Sequence, residues 1–130
     1  ARALAGRVEV VGVECDASPA FHEALEAGRI VEGEVRPTLA DGLAGNMDPD
    51  SITFDLVRRF VDRMALAREA AIADAVRGLF EEERVVAEGA GATAVASLLD
   101  GLGIAGRKVA VVVAGANIDA ALLAKVLRRE

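Results

Sequence analysis

Tryptophan and tyrosine are absent from this 130-residue chain, and it has one cysteine, one histidine, three prolines and two lysines. Each scarcity removes a class of function. A nucleic-acid surface needs basic patches and aromatic stacking platforms, but aromatics make up 3% of the residues and the formal charge is -6. Nucleic acid is therefore not expected as a partner. A lone Cys15 permits neither an internal disulfide nor a cysteine-rich zinc site, and a lone His22 leaves no imidazole set for metal or triad chemistry. Both read as structural residues, and no metal site is expected. No apolar run reaches the length of a membrane span, and the start Ala1-Arg2-Ala3-Leu4 lacks the apolar core of a secretory signal. The expectation is a soluble, cytoplasmic protein without a membrane partner.

What is present is apolar bulk: 53% of the residues are hydrophobic, enough for one domain with a real core. The stretch Lys108 to Asp119 organises the rest. Val109 to Val113 is a continuous apolar, mostly β-branched run, which predicts a central strand buried on both faces. Small residues Ala114-Gly115-Ala116-Asn117 then form a turn, and Asp119 caps a helix with Leu122, Leu123, Val126 and Leu127 facing inward. Such a strand implies an α/β fold, a mostly parallel open twisted sheet with helices on both faces. Ligands of these sheets sit at the carboxyl ends of strands, so chemistry is sought near Ala114 to Asn117, with a ligand-free turn as the equal alternative.

In chain order, Arg7 to Glu14 reads as a second buried strand through Val8, Val10, Val11 and Val13. Ser18-Pro19 predicts the N-cap and first turn of a helix that stops at Gly28. Arg29 to Asn46, rich in glycine, reads as a long connection with one short strand near Ile30, and loops of this length are often functional. Asp48-Pro49 opens a helix with Ile52, Leu56, Val57 and Phe60 on one face, and Met64 to Ala67 suits a third strand. Arg68 to Phe80 has Ile72, Val76, Leu79 and Phe80 at helical spacing, with Arg77 on the outer side and Glu81 to Glu83 as a solvated end. A further helix through Val95, Leu98 and Leu99 ends at Gly101.

Gly89, Gly91 and Ala94 fit the Gly-x-Gly-x-x-Ala form of a dinucleotide fingerprint, but Glu88 sets negative charge beside the phosphate position and no ribose-binding acid follows. Their small size is better explained by a helix pressed against another backbone or a flat uncharged ring. Glu14, Asp41 and Glu88 lie near strand or loop ends and read as independent caps and surface charges rather than as an acid–base or metal cluster. Lys108 and Lys125 both read as solvent-facing.

Three segments taken together, Val-Val-Gly-Val-Glu at 10 to 14, Thr-Leu-Ala-Asp-Gly-Leu-Ala at 38 to 44 and Val-Ala-Gly-Ala-Asn-Ile-Asp at 113 to 119, with Val-Ala-Glu-Gly-Ala-Gly-Ala at 86 to 92 between them, carry a resemblance. In this order they resemble the C-terminal part of the catalytic domain of serine/threonine dehydratases. The resemblance implies a tryptophan-synthase-β-like large domain and pyridoxal 5'-phosphate as cofactor. It also implies an ammonia-lyase that takes water, then ammonia, from threonine or serine to give a 2-oxo acid. By the same resemblance the intact protein is a homo-oligomer acting on a small amino acid, and residues 1–130 are the C-terminal portion of its catalytic domain.

The family's cofactor lysine lies in a Ser-x-Lys-x-x-Gly-type segment and its phosphate is held by a Gly-rich loop, and neither motif occurs here. The chain is thus expected to contribute no catalytic residue and to be inactive alone. A stand-alone, non-catalytic α/β binding or regulatory module is the alternative. The resemblance places Gly42 beside the cofactor ring, Glu88 close to the pyridine, and Gly115 and Asn117 in the turn beneath it. Ala114 stands where the family usually has Ser, Thr or Cys bonded to the pyridine nitrogen, and Ala116 replaces a glycine. Glu14 matches one ligand of a cation site in some members, whose second carboxylate is Ala20 here.

Overall fold

The computed structural model describes residues 8–130. Two strands, β1 (Val11–Cys15) and β2 (Arg63–Ala67), pair in parallel, Val11 opposite Arg63 through Cys15 opposite Ala67. Parallel neighbours need a crossover. Here it contains α1 (Ala20–Ala27), a long irregular connection and α2 (Ile52–Phe60). After β2 come α3 (Glu69–Glu81), α4 (Gly89–Leu99) and α5 (Ala120–Arg128). The architecture is α/β with a parallel sheet. Side chains of a strand alternate between faces, and accordingly Gly12 and Glu14 look toward Phe21 of α1 and Val57 of α2, whereas Val11 and Val13 look toward α4.

The core lies where α3 and α4 press on each other and on the sheet. Ile72, Val76, Ala92, Ala96, Cys15 and Ala67 are all fully buried. Alanine dominates this cluster because small side chains let two helices approach closely, and the periodicity of α3 placed its apolar face correctly. Gly28 ends α1 in the left-handed conformation, as expected of a residue without a Cβ, with its N–H and that of Arg29 returned to Leu25 and Ala24. Asp119 caps α5, its carboxylate accepting from the N–H groups of Ala121 (2.8 Å) and Leu122 (3.2 Å). Glu81 to Glu83, Lys108 and Lys125 are exposed, and among the described residues no helix is long and apolar enough to cross a membrane.

Several expectations are corrected. The run Val109 to Val113 is not a strand: no described residue pairs with it, and Val112 is 79% exposed. β-branched residues record an appetite for burial, but a strand exists only where a second backbone accepts its hydrogen bonds. The first strand covers Val11–Cys15 rather than 7 to 14, and Arg7 lies outside the described residues. No strand forms near Ile30. Instead the connection is pinned by Gly33 and Asn46, whose amide and side chain bond reciprocally, and by the Arg36 N–H to the Ala17 carbonyl.

Helix α2 starts at Ile52, three residues beyond Pro49, and buries Phe54 while Ile52, Leu56 and Phe60 face outward. Ser18 does not cap α1; its hydroxyl accepts from Gly45 N–H (3.1 Å). Arg77 is buried rather than outward, its guanidinium donating to the Val126 carbonyl at the end of α5 and to Asp74. A cation is welcome at a helix C-terminus. A buried, partnered arginine is nonetheless indistinguishable from a surface one by spacing alone.

Candidate functional site

Gly42, Glu88 and the turn Ala114 to Asn117, separated by up to 75 positions in sequence, meet around the N-terminus of α4. The first layer is the loop Thr38 to Leu43. Glu69, the first residue of α3, accepts hydrogen bonds from the Thr38 hydroxyl and from the Leu39 N–H (2.9 Å). That anchor lays the Leu39 backbone against Gly89, where any side chain would overlap the Leu39 carbonyl. Asp41 then receives the Gly42 N–H at 2.9 Å within a single 3-10 turn, Asp41–Leu43. A Cβ at Gly42 would lie 3.2 Å from the Ala90 Cβ, so this glycine rests directly on the first turn of α4.

The second layer is the turn after the valines. Gly91 faces Ala114 and Gly115, and a Cβ there would overlap the Ala114 carbonyl oxygen. The glycines of α4 thus serve close backbone approach, the reading favoured over a dinucleotide fingerprint. Glu88 holds the turn from both ends: its N–H donates to the Gly115 carbonyl (3.3 Å), and its Oε2 accepts the Asn117 N–H (2.9 Å). Gly115 has φ +93° and lies so close to Glu88 that a Cβ would overlap its carboxylate, so only glycine satisfies both conditions.

Ala114, Gly115, Ala116 and Asn117 are all exposed, as is Gly42. The result is an open floor of small, uncharged surface with one carboxylate locked beneath it. A flat aromatic ring fits such a floor. A phosphate does not, because Leu39 covers the start of α4 and Asp119 already takes the free N–H groups of α5.

Of the candidate carboxylates, Glu14 stands apart. Glu14 ends β1 and gives both oxygens to α1, Oε1 to Phe21 N–H (2.9 Å) and Oε2 to His22 N–H (2.8 Å). It is the cap that Ser18 does not supply, and burial raises its pKa against the pull of those two amides. Among the described residues no three His, Cys, Asp or Glu side chains group as metal ligands. Cys15 is fully buried, and His22 lies 3.5 Å from Glu26 on the surface of α1.

Sequence reasoning missed Glu69 and Ala90 as builders of the site. Glu69 gave no local signal, since its partners lie 30 and 31 residues away. Gly89 and Gly91 were readable as close-contact residues, though not which backbone they meet.

The sequence profile of the family described as pyridoxal-phosphate dependent enzyme matches residues 1–115. An L-threonine ammonia-lyase of Thermotoga maritima is 43% identical over 122 residues, covering 94% of this chain and 30% of that protein. A solved threonine deaminase of T.th. superposes with a TM-score of 0.78 at 33% identity, over 91% of this chain and 43% of its own. Processed threonine deaminase isoform 2 of Solanum lycopersicum superposes with a TM-score of 0.84 at 27% identity, over 98% and 38%. The chain spans about a third of the length of the curated relatives it matches. With the profile match spanning Gly42, Glu88 and Gly115, the chain belongs to the pyridoxal-phosphate dependent enzymes.

Proposed function

We propose that residues 1–130 are the C-terminal portion of the catalytic domain of a pyridoxal-phosphate-dependent ammonia-lyase, which deaminates threonine or serine to a 2-oxo acid. One observation carries this reading: Gly42, Glu88 and Ala114 to Asn117 converge on α4 as an open, neutral floor for the cofactor ring. The cofactor, when bound, supplies an electron sink for negative charge at the substrate's α-carbon. This chain's part is to seat the ring. Gly42 lets the loop rest directly on the first turn of α4, and Glu88 fixes the turn by its hydrogen bond to Asn117. Ala114 presents a methyl group, which donates no hydrogen bond to a ring nitrogen.

No base for moving the α-proton is supplied by these residues. Lys108 precedes the valine run, Lys125 lies in the last turn of α5, and both are exposed. Residues 1–130 alone are therefore inactive, and the lysine and phosphate loop come from the remainder of the protein. The test is reconstitution of the intact protein with pyridoxal phosphate. Expected are the visible absorbance of the bound cofactor and release of a 2-oxo acid from threonine or serine; an intact protein that stays colourless contradicts the reading.

A further inference from the structure

Helix α3 buries Ala71, Ile72, Ala75, Val76 and Leu79, all apolar, and among them one charged side chain, Arg77. A charge in such surroundings needs a reason. Taking a guanidinium out of water is costly, and a well-packed apolar side chain of similar size is often as stable or more so. The ion pair with Asp74 (2.5 Å) offsets little of that cost, because Asp74 is largely exposed.

What the arginine supplies is direction. Its Nε (3.2 Å) and Nη2 (2.9 Å) both donate to the Val126 carbonyl, which also accepts the Arg129 N–H (3.3 Å) where α5 ends. The fork is planar and rigid, and it meets the negative end of the helix dipole. It therefore holds α5 along the helix axis. Apolar contact does this poorly, since burial has no preferred direction. Within α5 only Val126 is buried, with Leu123 and the preceding Ile118 partly buried against the core.

The position of α5 along its axis matters because its other end carries the proposed floor. The Ala114 to Asn117 turn joins α5 through Ile118 and the Asp119 cap, and its Asn117 N–H bonds Glu88 at 2.9 Å. A shift of α5 away from α4 draws that N–H off the carboxylate. The opposite edge of the floor is set from the same helix: Glu69, the first residue of α3, holds Leu39 and with it the loop that carries Gly42. One helix thus reaches both edges, through Glu69 at its start and Arg77 farther along.

We propose that Arg77 is a positioning residue for the cofactor floor: by tying the C-terminal end of α5 to α3, it sets where the Ala114 to Asn117 turn stands relative to Gly42. The proposal rests on the reading of that floor as the seat of pyridoxal phosphate. Arg77 acts through α5 and touches neither Gly42 nor the turn.

Two substitutions in the intact protein test this. Arg77→Met keeps the bulk of the stem and removes the fork, whereas Arg77→Lys keeps a cationic donor for the Val126 carbonyl. In Arg77→Met the Asn117 amide is expected to exchange about tenfold faster while Ile72 keeps its protection. Pyridoxal phosphate, titrated by its visible absorbance, is expected to bind about 3- to 30-fold more weakly. Arg77→Lys is expected to recover most of both losses. Unchanged exchange at Asn117 overturns the proposal, and so does an equal loss of protection at Ile72, which would make Arg77 a stabiliser of the core alone. Faster exchange at Asn117 with unchanged cofactor affinity also overturns it. A wild-type protein that takes up no cofactor, while Asn117 still depends on Arg77, would contradict the proposed function and leave the tether standing.

Discussion

Ile72 and Val112 are both β-branched and apolar, yet the first is fully buried and the second is 79% exposed. The α3–α4 region satisfies itself: two helices and two strands, drawn from within 90 residues, cover each other's apolar faces. The valine run has the stronger apolar pattern and no partner within the described chain. Composition thus sets how much burial a segment seeks, and topology sets whether it finds any. The proposed floor lies on the boundary between these regions, with Glu88 and Gly91 on the packed side and Ala114 to Asn117 on the unpaired one.

That contrast can be broken first at the packed side. Ile72→Ala in the intact protein is expected to lose about 2–5 kcal/mol, read from the urea midpoint, because a fully enclosed side chain leaves a cavity. A loss below about 1 kcal/mol would mean that the α3–α4 core is looser than described. Gly91→Ala acts at the boundary. Its methyl must displace the Ala114 carbonyl, which is expected to cost about 1–3 kcal/mol and to weaken cofactor binding measured by absorbance titration. Unchanged affinity would separate Ala114 from the ring site.

Much of the packed region was legible because its contacts are periodic and local. The spacing of Ile72, Val76 and Leu79 gave α3, and Gly28, Gly101 and Asp119 marked helix ends near where they fall. The valine run was misread for the opposite reason, since its partner is not in the pattern. Glu14 capping α1 from the end of β1, Glu69 holding Leu39, and Arg77 reaching Val126 were illegible because each joins elements that only the fold brings together. At the candidate site, the resemblance named residues that the fold brings together, while the packing of α4 glycines on two other backbones required coordinates.

A finer test compares two substitutions at Glu88. Glu88→Ala removes the acceptor of the Asn117 N–H and is expected to cost about 1 kcal/mol and to reduce cofactor affinity, whereas Glu88→Gln keeps an oxygen there and recovers most of both. Equal loss in the two variants would show that the charge, rather than the hydrogen bond, matters.

The smallest expected effect is in acid. Arg68 holds the Asp100 carboxyl below its ordinary value of 3.8, so this pair's contribution is present above that pH and fades as pH falls through the lowered value. Glu14 runs the other way: with its pKa raised by burial, its contribution is full below 4.5 and is lost as pH rises through the raised value. Asp100→Asn is therefore expected to flatten the acid limb of the stability profile below pH 3.8. An unchanged limb would show that this exposed pair contributes nothing.

The most direct test of the floor is a structure of the intact protein loaded with pyridoxal phosphate. The account predicts the pyridine ring lying against Gly42 and the Ala114 to Asn117 turn, with Glu88 still bonded to the Asn117 N–H. A ring seated away from Gly42, or a Glu88 carboxylate swung off Asn117, would contradict it.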